Sequence, residues 1–93
     1  MKFEWDENKN KINIQRHGID FYDAYLIFEH PMLIKIDTRK DYGEERLVGL
    51  GLLFDVVIAI VFTKRSNNIR VISIRRANKN EHKVYQEKFT QQN

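Results

Sequence analysis

Two adjacent arginines, Arg75 and Arg76, end a stretch of residues 69–76 whose composition is typical of a β-strand. A guanidinium offers a planar fork of N–H donors that matches phosphate oxygens, and it cannot be buried without a partner. Because successive side chains of a strand point to opposite faces, we expect Arg75 on one face and Arg76, together with Arg70, on the other. The pair predicts an anion site that uses one of the two arginines. The alternative is a strand end that frays into solvent.

The charge of the 93-residue chain is unevenly distributed. Residues 1–46 carry eight Lys and Arg against ten Asp and Glu, a net charge of −2, whereas residues 47–93 carry eight against three, a net charge of +5. This asymmetry favours an anionic partner for the C-terminal half, although small proteins also divide charge in this way by chance. We expect Lys64 and Arg65, in a predicted hairpin loop, and Arg70 to contact that partner.

His17 is the candidate for acid–base chemistry, since an unperturbed imidazole titrates near pH ~6.5. It ends a predicted helix, where the helix dipole favours the protonated form. The alternative is that His17 only serves as a helix-ending residue. Tyr42 and Glu45, next to Arg46, are possible supporting groups, and Glu45 could instead form an ion pair with a neighbouring arginine.

The sequence predicts neither a metal site nor another cofactor. Four carboxylates cluster around one turn, but their spacing matches no magnesium motif known to us. The histidines lack zinc-ligand spacing, and there is no cysteine to supply a thiolate or a disulfide. The residues weighed as ligands are Asp37, Asp41, Glu44, Glu45, His17, His30 and His82.

These side chains must be positioned by elements that we predict in the order β-α-α-β-β-β-β-α. Asp6 is a suitable N-cap and Gly18 a suitable C-terminal residue for the first helix, while Asn78 and Glu81 form a capping box for the last. The predicted strands cover residues 2–5, 32–37, 46–53, 55–63 and 69–76. Residues 1–93 therefore form one α+β domain of two layers, an antiparallel sheet with its helices gathered on one side.

In this sheet we expect Arg46 to lie close to Arg75 or Arg76. This expectation assumes that the start of strand 46–53 and the end of strand 69–76 lie at the same edge of the sheet. Arg65 would then lie at the opposite end, as a more distant contact. The nearly continuous apolar stretch 55–62 predicts a central strand covered on both faces.

Three groups of residues resemble the BrnT family of type II toxins. The first group runs from the tryptophan to the first helix end, the second surrounds Arg46, and the third ends the last strand. They are Trp5-Asp6-Glu7, Asn13 and Arg16-His17-Gly18-Ile19; Tyr42-Gly43-Glu44-Glu45-Arg46; and Arg75-Arg76-Ala77 with Glu81 and Tyr85. Arg16 stands where the family more often has lysine, which retains the charge.

The resemblance implies a RelE-like fold and a metal-independent endoribonuclease that cleaves mRNA to arrest translation and growth. For such an enzyme, the chemistry of the side chains themselves makes His17, Arg46, Arg75 and Arg76 the catalytic candidates, with Lys64, Arg65 and Arg70 as RNA contacts. The implied partner is a BrnA-type ribbon-helix-helix antitoxin, in a complex of two copies of each chain that binds operator DNA only through the antitoxin.

Two further expectations concern location and an alternative function. The N-terminus lacks the apolar run of a signal peptide, and the longest apolar stretch, residues 56–62, is too short to cross a bilayer, so we expect a cytoplasmic protein without a membrane partner. The alternative function is a non-catalytic RNA- or DNA-binding protein that tunes a repressor at its operator. Such a protein also explains a basic face but needs no catalytic histidine.

Overall fold

The computed structural model describes residues 1–89, which form one five-stranded mixed sheet and three α-helices. The strands are β1 (Lys2–Glu4), β2 (Leu33–Ile36), β3 (Leu47–Leu53), β4 (Val56–Arg65) and β5 (Asn68–Arg76). The helices are α1 (Glu7–His17), α2 (Ala24–Ile27) and α3 (Lys79–Phe89), and a 3-10 turn, Phe21–Asp23, precedes α2. None of these helices is long and apolar enough to cross a membrane.

The local helix signals have the predicted structures. The Asp6 carboxylate accepts hydrogen bonds from the backbone N–H groups of Asn8 and Lys9. Gly18 follows α1 with φ of 70°, a conformation that glycine adopts at little cost. At α3, Asn78 and Glu81 each accept the other's backbone N–H at 2.8 Å. Capping depends on residues within one helical turn, so these signals can be identified without knowing the fold.

The sheet has the strand order β1-β5-β4-β3-β2, and β2 to β5 form the predicted antiparallel meander. The expectation of a fully antiparallel sheet is wrong, because β1 pairs in parallel with the start of β5, Lys2 opposite Asn68. Beyond β1, helix α1 covers the edge of β5. There Asn13 donates to the carbonyl of Ile74 at 2.9 Å and accepts from its N–H at 3.1 Å, so a side chain replaces the missing strand.

Apolar side chains cover both faces of β4, as its composition predicts. On one face Ile58, Ile60 and Phe62 pack with the 3-10 turn and α2; this is the α2 face. On the other, the α3 face, Val57, Ala59 and Val61 pack with Tyr85 of α3. The expectation of two layers with the helices on one side is therefore wrong. A strand that is apolar on both faces needs a cover on each, and α3 supplies the second.

Candidate active site

Three arginines surround Thr63 on the α3 face of the sheet. Arg70 of β5 pairs directly with Thr63. Arg46 immediately precedes β3 on the other side of β4, and its neighbour Glu45 accepts a hydrogen bond from Thr63 Oγ1 at 2.8 Å. Arg65 lies two residues further along β4, so its side chain points to the same face. With strands about 4.8 Å apart, roughly 10 Å separates the backbones that carry Arg46 and Arg70.

A β-bulge in β5 determines which other arginine shares this face. Ser73 and Val71 pair with consecutive residues of β4, which leaves Ile72 as an extra residue. Side-chain alternation therefore shifts by one position, and Arg70 and Arg75 both point to the α3 face. The strict alternation expected from the sequence placed these two arginines on opposite faces, and it is wrong for this reason.

The expected proximity of Arg46 to Arg75 or Arg76 is also wrong. Strands β3 and β5 are both antiparallel to β4, so they run in the same direction and their starts lie at the same end of the sheet. Arg46 consequently lies near Arg65 and Arg70. Arg75 and Arg76 end β5 at the other end of the sheet, about 13 Å along the strand from Arg70 at about 3.3 Å per residue.

The prediction that Arg75 and Arg76 point to opposite faces of the sheet is confirmed. Arg75 lies opposite Ala59 on the α3 face, and Arg76 lies opposite Ile58 on the α2 face. The guanidinium of Arg75 donates to both carboxylate oxygens of Glu81, at 2.7 and 3.0 Å. The Arg75 guanidinium lowers the pKa of Glu81, which therefore stays ionised, and Glu81 in turn raises the pKa of Arg75.

The guanidinium of Arg46 is only partly satisfied by its neighbours. It stacks on the Tyr42 ring, with Cζ 3.9 Å from the ring centroid. Its Nε is buried and finds no hydrogen-bond partner within residues 1–89. One carboxylate oxygen of Glu44 is 3.9 Å from that nitrogen, and its other oxygen accepts a hydrogen bond from the Arg65 guanidinium at 3.2 Å. Because this Nε is shielded from solvent, an anionic oxygen from outside would approach the terminal nitrogens of Arg46, beside the second cation Arg65.

His17 lies in a groove of about 140 Å³ between α1 and the edge of β5. The groove is also lined by Lys9 and Arg16 from α1 and by Ser73 from β5. His17 is exposed to solvent. Since Ser73 adjoins the α3 face that carries Arg75, the groove forms the outer border of that face.

The remaining sequence candidates have different environments. Tyr42 supports Arg46 through its ring, as described above, whereas the Glu45 side chain is exposed. Lys64 pairs with Ile69 and points to the α2 face, away from Arg65. Arg65 itself is the last residue of β4 rather than part of a loop.

The acidic turn is largely occupied by cations. Arg39 donates to both oxygens of Asp37 at 2.9 and 2.8 Å, and this interaction lowers the pKa of Asp37 to about 2. Glu44 interacts with Arg65 and Arg46. Within residues 1–89 no three acidic or histidine side chains are grouped to hold a metal ion.

Sequence reasoning missed several residues of this region. Lys9 and Arg16 are seven positions apart, two helical turns, and this spacing could have placed them on one face of α1. Apart from the family resemblance, Glu44 was considered as a metal ligand and Glu81 as a helix cap. Their arginine partners lie on other elements, so no local pattern reveals these contacts.

A comparison with known protein families gives a match that covers most of the chain. A family model described as ribonuclease toxin, BrnT, of a type II toxin-antitoxin system matches residues 5–81. The match spans α1, the whole meander and the start of α3, and it confirms the resemblance seen in the sequence. A comparison with curated proteins gave no match.

Proposed function

Because this chain belongs to the BrnT family of ribonuclease toxins of type II toxin–antitoxin systems, we propose that it is a metal-independent endoribonuclease that cleaves mRNA and thereby arrests translation and growth. The family description supplies the ribonuclease class, an RNA target and an antitoxin partner. The proposed cleavage without a metal ion rests on one surface of the protein. This surface, the arginine face, is defined as Arg46, Arg65, Arg70 and Arg75 on the α3 side of the sheet.

The arginine face suits an RNA backbone because its charges follow the sheet surface. The reaction begins with attack of a ribose 2′-oxygen on the adjacent phosphorus; the new P–O bond forms as the bond to the 5′-oxygen breaks. The products are a 2′,3′-cyclic phosphate and a 5′-hydroxyl. Arginine forks stabilise the additional charge on the non-bridging oxygens, and they remain charged at any physiological pH. Arg75 fulfils this role, and Arg46, Arg65 and Arg70 hold neighbouring phosphates.

His17 carries the proton in this proposal. In its neutral form it accepts the proton of the 2′-hydroxyl, and as imidazolium it returns that proton to the leaving 5′-oxygen, so one side chain serves both steps. Its groove supports the assignment, since Lys9 and Arg16 line it and Ser73 connects it to the arginine face. Tyr42 supports Arg46 by stacking. Glu45 is a secondary candidate for proton transfer near Arg46.

The proposal extends to the partner and the location. We assign the antitoxin to the BrnA ribbon-helix-helix type, in a complex of two toxins and two antitoxins that binds operator DNA through the antitoxin, in the cytoplasm. A RelE-like relationship of the fold is part of the same proposal. Co-expression with the product of the adjacent gene, followed by size-exclusion chromatography with light scattering, tests the composition. The mass of a complex with one toxin and one antitoxin would contradict the proposed composition of two copies of each.

The central test uses purified protein and end-labelled RNA in EDTA. We expect cleavage with cyclic-phosphate ends, strongly reduced in Arg75→Ala and His17→Ala variants that retain the wild-type circular dichroism spectrum. His30→Ala is the matched control, because His30 is exposed and follows α2 on the opposite side of the sheet. Intact RNA with normal RNA and antitoxin binding would overturn the catalytic proposal and favour the non-catalytic binding protein.

A further inference from the structure

The turn between β3 and β4 consists of two residues that are unusual for its geometry. Phe54 and Asp55 have φ of 50° and 66°, the left-handed conformation that a two-residue hairpin turn of type I′ requires at both positions. Asn-Gly is the usual choice there, and a bulky residue such as phenylalanine is disfavoured. Phe54 is also 71% exposed, so packing does not explain the ring. Neither the backbone nor the core favours phenylalanine at this position.

Phe54 borders a pocket of about 270 Å³ on the α2 face, opposite the arginine face. Apolar walls from Ile19 and Ile58 form part of the lining. Small-molecule pockets commonly measure about 300–1,000 Å³, so this one suits a ligand the size of a single nucleobase. An exposed aromatic ring beside such a hollow offers a surface on which a base can stack.

Two opposite charges line the same pocket without pairing. Asp23 is half-buried, and its carboxylate makes no hydrogen bond or ion pair with any residue in the described range 1–89. The guanidinium of Arg76 likewise has no such partner in that range. Although both line the pocket, they form no ion pair with each other. The pocket therefore offers a ligand three groups: the two carboxylate oxygens of Asp23 as acceptors, the Arg76 guanidinium as a cation, and the flat ring of Phe54.

We propose that this pocket, bordered by Phe54, Asp23 and Arg76, binds a guanine nucleotide. Guanine carries adjacent N1–H and N2–H donors, which match the two oxygens of the Asp23 carboxylate. Adenine, cytosine and uracil each place an acceptor next to their donor, and that acceptor repels a carboxylate. Phe54 stacks on the base, and the Arg76 guanidinium binds the attached phosphate. The site goes beyond the proposed cleavage, because binding here needs no residue of the arginine face.

The test is isothermal titration calorimetry of the full chain with the four nucleoside 5′-monophosphates. We expect guanosine monophosphate to bind about tenfold or more tightly than the other three. Asp23→Asn should remove this preference, because an amide offers both a donor and an acceptor. Arg76→Ala should weaken binding of guanosine monophosphate and leave guanosine unaffected. Equal binding of all four nucleotides would overturn the proposal.

Phe54→Asn separates a binding role from a structural one. Asparagine tolerates the left-handed conformation, so the variant should melt a few degrees higher while losing affinity by about tenfold or more, the effect of removing one base–aromatic stack. A lower melting temperature with unchanged nucleotide binding would make the ring a packing residue and overturn the proposal. Tyr25→Asn, at an exposed aromatic outside the pocket, should leave binding unchanged.

Two arms distinguish the source of the base. If the site binds a guanine within RNA, an oligoribonucleotide with one guanine should compete with guanosine monophosphate. If the site binds a free nucleotide, only the monomer should bind. Both results are consistent with a guanine site. A protein that binds guanosine monophosphate but leaves RNA intact in EDTA contradicts the proposed ribonuclease function alone. A protein that cleaves RNA but binds no nucleotide at Phe54 contradicts this inference alone.

Discussion

Glu81 holds Arg75 through two hydrogen bonds of 2.7 and 3.0 Å while it also closes the capping box of α3. One carboxylate thus fixes both the start of a helix and the direction of a guanidinium on the arginine face. The interaction raises the pKa of Arg75, although arginine is charged at physiological pH in any case. Its effect on function is therefore orientation rather than ionisation.

The first prediction concerns Glu81→Gln. The amide oxygen can still cap α3, but the charged fork to Arg75 is lost, so RNA cleavage should show a lower kcat with little change in KM. The free energy of unfolding should fall by about 1.5–3 kcal/mol, the range for hydrogen bonds to charged groups. Urea denaturation and single-turnover kinetics measure the two effects. Glu87→Gln, exposed on the same helix, is the control; an equal loss of activity in both variants would contradict the orienting role.

The second prediction concerns Glu44, which lies between Arg65 at 3.2 Å and Arg46 at 3.9 Å. Its carboxylate competes with phosphate for both guanidinium groups. Glu44→Gln should therefore bind a non-cleavable 2′-deoxy oligonucleotide more tightly than the wild type, most clearly at low salt. Fluorescence anisotropy measures the affinity. The neighbouring Glu45→Gln changes the net charge equally but involves an exposed side chain, so it separates local competition from a general charge effect.

The sequence was informative where the determining contacts are local. Asp6, Gly18 and the Asn78–Glu81 pair act within one helical turn, and their roles could be predicted from spacing. The β-bulge at Ile72 could not be predicted in this way, because a bulge is defined only by the pairing of its strand with another strand. That single insertion reversed the predicted face of Arg70 relative to Arg75.

The candidate site was predicted in its residue types but not in its arrangement. The arginines were identified from charge and from the family resemblance. Their grouping depends on the directions of β3 and β5, which place Arg46 with Arg70 rather than with Arg75. The parallel pairing of β1 likewise depends on a contact more than sixty residues away in sequence.

The third prediction tests the groove beside α1. Lys9 lines the groove with His17, whereas Lys11 is exposed elsewhere on the same helix. If Lys9 contacts one phosphate, Lys9→Ala should reduce the salt slope of single-stranded binding, d log K/d log[salt], by about 0.7 in magnitude. Lys11→Ala should leave the slope unchanged. Binding of a 2′-deoxy oligonucleotide at several salt concentrations gives both slopes, and equal slopes in the two variants would exclude the groove as the path of the RNA.

The fourth prediction concerns acid stability. The buried carboxyl of Asp37 has its pKa lowered to about 2, chiefly by Arg39, compared with about 3.9 in an unfolded chain. A lowered folded pKa stabilises the protein fully above the unfolded value, and this contribution is lost as the pH falls from about 4 to 2. Asp37→Asn should flatten the pH dependence of the free energy of unfolding in this window. Asp55→Asn, at an exposed carboxyl, should retain the wild-type dependence.

The fifth prediction concerns Asn13, a residue that is 5% exposed and whose side chain bonds both backbone groups of Ile74 as well as the carbonyl of Ile19. Asn13→Ala leaves those buried groups without partners, so the free energy of unfolding should fall by about 2–4 kcal/mol, the cost of more than one unsatisfied group. Urea denaturation measures the loss. Asn8→Ala is a control on the same helix, because it makes the same substitution at an exposed position. If the two variants were equally stable, the edge of β5 would not depend on the Asn13 side chain.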